Sequence, residues 1–140
     1  MVNQNKIKHQ SKIKAPIEKV WDALTNPEIV KKYFFGTELV TDWKVGSPIV
    51  FQGEWEGQKY IDKGEVLEYV QNERLSYSYL SSWSNKEDVP ENYLYISYQV
   101  KSEGEDTALT IYQTNYDIER AKHSEGTWAS LIDGMKKILE

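Results

Sequence analysis

The sequence predicts an α+β protein: a curved antiparallel sheet of six to seven strands wrapped around a long C-terminal helix, with two short helices after the first strand. Three observations predict it. The chain opens with a period-two stretch that runs straight into two helix signatures, Ala15-Pro16-Ile17-Glu18-Lys19-Val20-Trp21 and Asn26-Pro27-Glu28. About 80 residues of short alternating segments then follow, broken by turn chemistry. The last stretch, about 118–139, is amphipathic with helical spacing.

Each element has its own signal. In the first strand, about 5–14, Lys6, Lys8, Lys12 and Lys14 alternate with Ile7, His9, Ser11 and Ile13. Lysines along one face of an edge strand discourage pairing with another chain. Pro16 is expected at the first helical position, where no N–H is needed. Ile17, Val20, Trp21 and Leu24 then form one apolar helical stripe. Asn26 reads as the cap of a second helix, with Pro27 and Glu28 in its first turn, an apolar face of Ile29, Val30, Tyr33 and Phe34, and Gly36 as its stop.

From Thr37 the period changes to two. Strands are expected at 37–42, 48–54, 59–70, 73–81, 92–102 and 106–115, with turns at 45–48, 55–58, 71–73 and 103–106. Connections this short join antiparallel neighbours. Val66 and Tyr69 cannot both face inward on a regular strand, which predicts a bulge near Leu67-Glu68. Ser82–Glu91 is polar, contains Pro90 and reads as a long loop; its Trp83 is either a lid residue or surface packing.

On the last helix Trp128, Leu131, Ile132, Met135, Ile138 and Leu139 fall within one stripe, which continues backwards to Ser124 and Ala121. The buried side is bulky in the C-terminal half and small in the N-terminal half, so any hollow should open near the start of this helix. Gly126 and Gly134 lie off the stripe, and each is expected to cost about 1 kcal/mol against alanine unless something compensates.

Composition narrows the function. A chain of 140 residues suits one domain, 1–140, able to bury roughly two-thirds of its unfolded surface. Net charge is −5, with a basic opening and an acidic body, so no basic stripe exists to replace phosphate counterions and nucleic acid is not an expected partner. There is no cysteine and there are only two histidines, so disulfides, thiolate chemistry and an ordinary zinc site are not expected. No apolar run reaches the roughly 20 residues of a membrane span, and residues 1–14 carry no apolar signal core. The expectation is a cytoplasmic protein without stable membrane insertion, metal or cofactor. Ten tyrosines and five tryptophans against three phenylalanines favour rings with a polar handle.

Together these residues resemble a known family. Residues 13–28 look like the opening motif of the START-related, birch-pollen-allergen-like helix-grip superfamily, and more narrowly of the domain related to activators of the heat-shock protein 90 ATPase. Tyr33-Phe34, Asp42-Trp43-Lys44-Val45-Gly46, Gly64-Glu65-Val66 before Glu73-Arg74-Leu75, Thr107-Ala108-Leu109-Thr110-Ile111 and His123-Ser124-Glu125-Gly126-Thr127-Trp128 match that family's pieces in order. Ser47 departs from its second hairpin glycine, and Thr127 separates a Gly and a Trp that are usually adjacent. The resemblance covers residues 5–140. It implies the helix-grip fold, whose members include lipid and hormone carriers, cyclases and a co-chaperone domain.

Alternation places Leu75, Tyr77 and Tyr79 on the inner face of one strand, Ile96, Tyr98 and Val100 on another, and Leu109, Ile111 and Gln113 on a third, with Phe51, Tyr60 and Trp128 completing the lining. The candidate ligand-binding residues are Phe51, Tyr60, Tyr77, Tyr79, Tyr98, Ile111, Gln113, Ser124 and Trp128. Such a wall suits a hydrophobic or aromatic small molecule or lipid with a few polar groups; equally, the same residues could form a filled core. A co-chaperone-like modulator of a heat-shock ATPase is the second reading. An enzyme is the third and the least supported: its base would be Asp62, Glu65, Glu68, His9 or His123, with no nucleophile–base pair, metal spacing or phosphate loop beside it.

Overall fold

The computed structural model describes residues 6–140; the expected start of the first strand at residue 5 lies outside them. Its elements are β1 (Ile7–Ile13), α1 (Ile17–Thr25), α2 (Pro27–Tyr33), β2 (Glu38–Val40), β3 (Pro48–Trp55), β4 (Gln58–Val70), β5 (Arg74–Tyr79), β6 (Leu94–Glu103), β7 (Asp106–Gln113) and α3 (Ile118–Leu139), with a 3-10 turn at Pro90–Asn92. The strands form one seven-stranded sheet in the order β1-β7-β6-β5-β4-β3-β2, every pairing antiparallel. This is the helix-grip α+β arrangement that the sequence predicts.

The long strand β4 is shared between two neighbours. Its first half, Gln58–Glu65, pairs with β3, and its second half, Val66–Val70, pairs with β5. The register shifts between Val66 and Glu68, placing the bulge at Leu67 and allowing both Val66 and Tyr69 to reach the core. A bulge bends and twists the strand that carries it. Just before it, Gly64 lets the backbone of β5 come so close that a Cβ on residue 64 would lie 1.7 Å from the Ser78 carbonyl oxygen.

The short helices close one flank. α1 buries Val20, Trp21, Ala23 and Leu24. Pro16 sits one residue earlier than expected, as the N-cap in extended conformation, so its missing N–H costs nothing there. Asn26 caps α2, its side chain accepting from the Glu28 N–H, with Pro27 at the first helical position. The Tyr33 hydroxyl donates to the Ala23 carbonyl at 2.7 Å and ties α2 to α1. Phe35 and Gly36, both at positive φ, end the helix, and the Gly36 N–H reaches back to the Lys31 carbonyl.

α3 lies in the concave face. Trp128, Leu131, Ile132 and Met135 are buried against the sheet, with Ala121 and Ser124 ahead of them. Ile138, expected on the same stripe, is instead half-exposed, while Leu139 beside it still packs against the core. Asp117 caps the helix, its carboxylate accepting from the Arg120 N–H at 2.8 Å.

The two helix glycines differ. A Cβ at Gly134 would stand 3.3 Å from the Tyr33 Cβ, so this glycine permits the close crossing of α2 over α3. At Gly126 a Cβ would meet nothing within 4 Å. Gly126→Ala is therefore expected to stabilise the protein by about 1 kcal/mol, raising the thermal midpoint by a few degrees. An unchanged or lowered midpoint in calorimetry would show that the helix needs flexibility there.

Candidate ligand-binding cavity

Between α3 and the sheet lies a cavity of about 650 Å3, within the roughly 300–1,000 Å3 range of small-molecule sites. The strands supply Phe51, Tyr60, Asp62, Tyr77, Tyr79, Leu94, Ile96 and Gln113, and the helix supplies Ser124, Trp128 and Leu131. Its mouth is framed by Phe35, Trp55, Trp83, Tyr116, Arg120 and His123. The opening lies at the leading end of α3, where the small side chains predict it. Ser124 lines the wall, whereas Ala121 is buried without reaching it.

Seven of the nine sequence-predicted site residues are on this wall: Phe51, Tyr60, Tyr77, Tyr79, Gln113, Ser124 and Trp128. The other two are not. Tyr98 sits behind Tyr77, its hydroxyl 2.6 Å from the Tyr77 hydroxyl and its ring edge-on to Trp128. Ile111 is fully buried in the core between wall and helix. Alternation tells which face a residue takes and not how deep the hollow reaches, and Trp128 fills the space in front of Tyr98. Leu75, Val100 and Leu109 likewise pack the core or its margin rather than the cavity.

The polar groups on the wall are held by specific bonds. The Trp128 indole N–H donates to Gln113 Oε1 at 2.7 Å, and Gln113 Nε2 donates to Asn115 Oδ1 at 3.2 Å. Thr37 and Tyr60 share a hydroxyl–hydroxyl bond, and Tyr60 lies across Gly53, whose missing side chain makes room for its ring. Asp62 accepts three bonds: from the Tyr79 hydroxyl at 2.5 Å, the Ser82 N–H at 2.8 Å and the Ser82 hydroxyl at 3.2 Å. Asp62 thereby pins the start of the 82–91 loop to the sheet. Trp83 follows immediately and packs on Tyr60, ring centroids 5.1 Å apart, while staying half-exposed. It is both a surface residue and part of the mouth.

Burial pushes the Tyr77, Tyr79 and Tyr98 hydroxyls well above their ordinary value, and the Asp62 charge raises Tyr79 further. Of these, Tyr77 and Tyr79 border the cavity as neutral phenols. At the mouth Arg120, which is also ion-paired with Asp117, and the nearby Lys86 each lie over the Tyr116 ring, at 5.2 Å and 5.0 Å from its centre.

The candidate catalytic groups are scattered. Asp62 is in the cavity but committed to the three bonds just described. Glu65 is exposed, and Glu68 is ion-paired with Arg74 at 3.0 Å on the surface. His9 pairs across β1 with Ile111, and His123 stands exposed at the mouth. Among the described residues, no group of three or more His, Cys, Asp or Glu is placed to hold a metal, and no helix is long and apolar enough to cross a membrane.

Sequence reasoning missed Phe35, Trp55, Asp62 as an anchor, and the Tyr116–Arg120 pair. All are brought to the mouth by tertiary packing; the one local signal was the run of aromatics at the ends of α2 and β3.

Residues 14–140 match the family described as "Activator of Hsp90 ATPase homolog 1-like protein". The chain belongs to this family. Its fold is shared by the solution structure of ChR145 from Cytophaga hutchinsonii, 42% identical, covering 96% of this chain and 92% of that one with a TM-score of 0.83. CalU16 from Micromonospora echinospora is 20% identical over 96% of this chain and 76% of its own, with a TM-score of 0.77. The Aha1 dimer from Colwellia psychrerythraea is 22% identical over 96% of both chains, with a TM-score of 0.75. Comparison with curated proteins gave no match.

Proposed function

We propose that this domain binds a hydrophobic or aromatic small molecule, or a lipid, in its internal cavity, acting in the cytoplasm as one unit over residues 1–140. One observation carries the reading: the hollow of about 650 Å3 walled mainly by apolar and aromatic side chains with a few fixed polar groups. A core built for stability alone would fill that space, since each void forfeits dispersion contacts along its lining. Phe51, Tyr60, Tyr77, Tyr79, Gln113, Ser124 and Trp128 are the contacts we assign to the guest.

The test is a titration of labelled protein with aromatic and lipid metabolites, read by two-dimensional NMR and thermal shift. A guest at a hundredfold excess over its Kd is expected to stabilise the fold by about 2.7 kcal/mol, with the largest amide shifts at Tyr77, Tyr79, Gln113 and Ser124. Stabilising compounds that leave those amides unmoved would place the site elsewhere and overturn the reading.

The family's description favours a second reading, modulation of a heat-shock ATPase. It is tested separately, by chaperone ATPase rate with and without the protein. No change at large molar excess removes it.

A further inference from the structure

We propose that the guest is an amphipathic anion, an apolar aromatic body with a carboxylate-type head at one end, and that Arg120 and Lys86 receive the head at the mouth. This rests on the cavity reading above and deepens it.

The first observation is the face that α3 turns to the hollow. Arg120, His123, Ser124, Thr127, Trp128 and Leu131 all border it, at the spacing of three and four that keeps side chains on one side of a helix. From the mouth inward this row passes from a guanidinium and an imidazole to two hydroxyls, then to a buried indole and a buried leucine. At a rise of 1.5 Å per residue, Arg120 and Trp128 are about 12 Å apart along the axis. A molecule lying along the row meets charge at one end and apolar surface at the other.

The second observation is the charge around Tyr116. Arg120 and Lys86 lie 5.2 Å and 5.0 Å from its ring centre, so the two cations stand within about 10 Å of each other. That is about one screening length at physiological salt, and like charges so placed repel. Asp117 offsets part of this. Its Oδ1 accepts the Arg120 backbone N–H at 2.8 Å, and its Oδ2 stands 3.6 Å from Arg120 Nη1. An exposed pair of that length contributes little, and a guanidinium has five N–H groups to give. Lys86 has no ion pair among the described residues. On its loop Asp88 is spent on Lys63 and Tyr93, while Glu87, like Glu119 on the helix, is exposed and borders no part of the cavity. Two positive charges therefore share one ring with a single negative one. Asp62, the one acid on the cavity wall, is already engaged by three donors. The unmatched charge of the site is positive, and it lies where a guest's head would emerge.

The experiment uses anilinonaphthalene sulfonate and N-phenyl-1-naphthylamine, fluorescent probes that share a body and differ in the anionic group. The Kd of each is measured for the wild type, Arg120→Gln, the Arg120→Gln/Lys86→Gln double variant and Lys122→Gln, an exposed control on the same helix that does not border the cavity. Each fold is checked by circular dichroism, and NMR places the bound probe by the amides of Ser124 and Trp128. Arg120→Gln is expected to weaken the sulfonate about fivefold and the double variant about tenfold, while the neutral probe and Lys122→Gln stay within about twofold. Added salt should weaken the sulfonate in the wild type more than in the double variant. A sulfonate Kd that ignores Arg120→Gln, or falls equally with Lys122→Gln, overturns the head assignment while leaving the cavity reading intact. So does a wild type that binds the neutral probe alone, or sulfonate binding that leaves the Ser124 and Trp128 amides unmoved. Failure of both probes to bind the wild type overturns the cavity reading and this inference with it.

Discussion

Gly64→Ala is expected to unfold the protein or to lower its stability by about 3 kcal/mol or more, at or beyond the upper end of ordinary overpacking. The new Cβ would lie 1.7 Å from the Ser78 carbonyl oxygen and 2.5 Å from its carbon. These are backbone atoms of the neighbouring strand, and no rotamer change can move them aside. The local ladder explains the closeness. Regular pairing of β4 with β5 lapses between the Lys63–Leu80 bridge and Val66–Tyr77, and the Glu65 N–H is taken instead by the Ser78 hydroxyl at 3.0 Å. To admit a methyl group the two strands must part where the sheet turns its corner. A domain with only about 5–15 kcal/mol of total stability absorbs that poorly. Urea unfolding followed by circular dichroism checks it, with Gly126→Ala as a control of opposite sign. A wild-type midpoint for Gly64→Ala would mean that the corner is soft.

Alkali is expected to unfold the protein steeply, starting near pH 10. The hydroxyls of Tyr33, Tyr77, Tyr79 and Tyr98 are all raised well above the ordinary 10.0, chiefly by burial. In the unfolded chain these phenols lose their protons near pH 10, whereas the folded protein keeps them. Below pH 10 both states are protonated and the full stability is present. Above it the unfolded state binds fewer protons, so stability falls as the pH rises. Each phenol contributes about 1.4 kcal/mol per pH unit, and four together about 5 kcal/mol per pH unit. The fold should therefore be lost within about two pH units, with tyrosinate absorbance and loss of circular dichroism rising together. Tyr77→Phe removes one phenol and should make the slope shallower by about a quarter. Tyrosinate forming near pH 10 in a protein that keeps its native spectrum would contradict the burial assigned to these rings.

Much of this architecture was legible because it is local. The lysine alternation of β1, the Asn26-Pro27-Glu28 cap and the stripe on α3 each depend on a few adjacent residues. The bulge at Leu67 was legible for a related reason: Val66 and Tyr69 cannot share a face without it. Even the position of the cavity was readable, since Ser124 is too small to reach the sheet. Depth was not. Alternation puts Tyr77 and Tyr98 on the same inner face and both are buried, yet Tyr77 borders the cavity while Tyr98 packs edge-on to Trp128. Asp62 shows the same limit. Its role comes from Ser82 and Tyr79, about 20 residues away along the chain, and no spacing rule connects them. The mouth was the least readable part, because Phe35, Trp55, Trp83 and Tyr116 come from four separate segments.

The strand order has one more consequence, and it concerns how the chain assembles. From β2 to β7 every strand lies beside its predecessor in sequence, so that part of the sheet can grow by successive hairpins. β1 is the exception, for Ile7 meets Gln113 and Ile13 meets Thr107. Joining them closes a loop that contains nearly the whole molecule, and loop-closure entropy must be met before such contacts return anything. The first residues made are thus the last that can find their place.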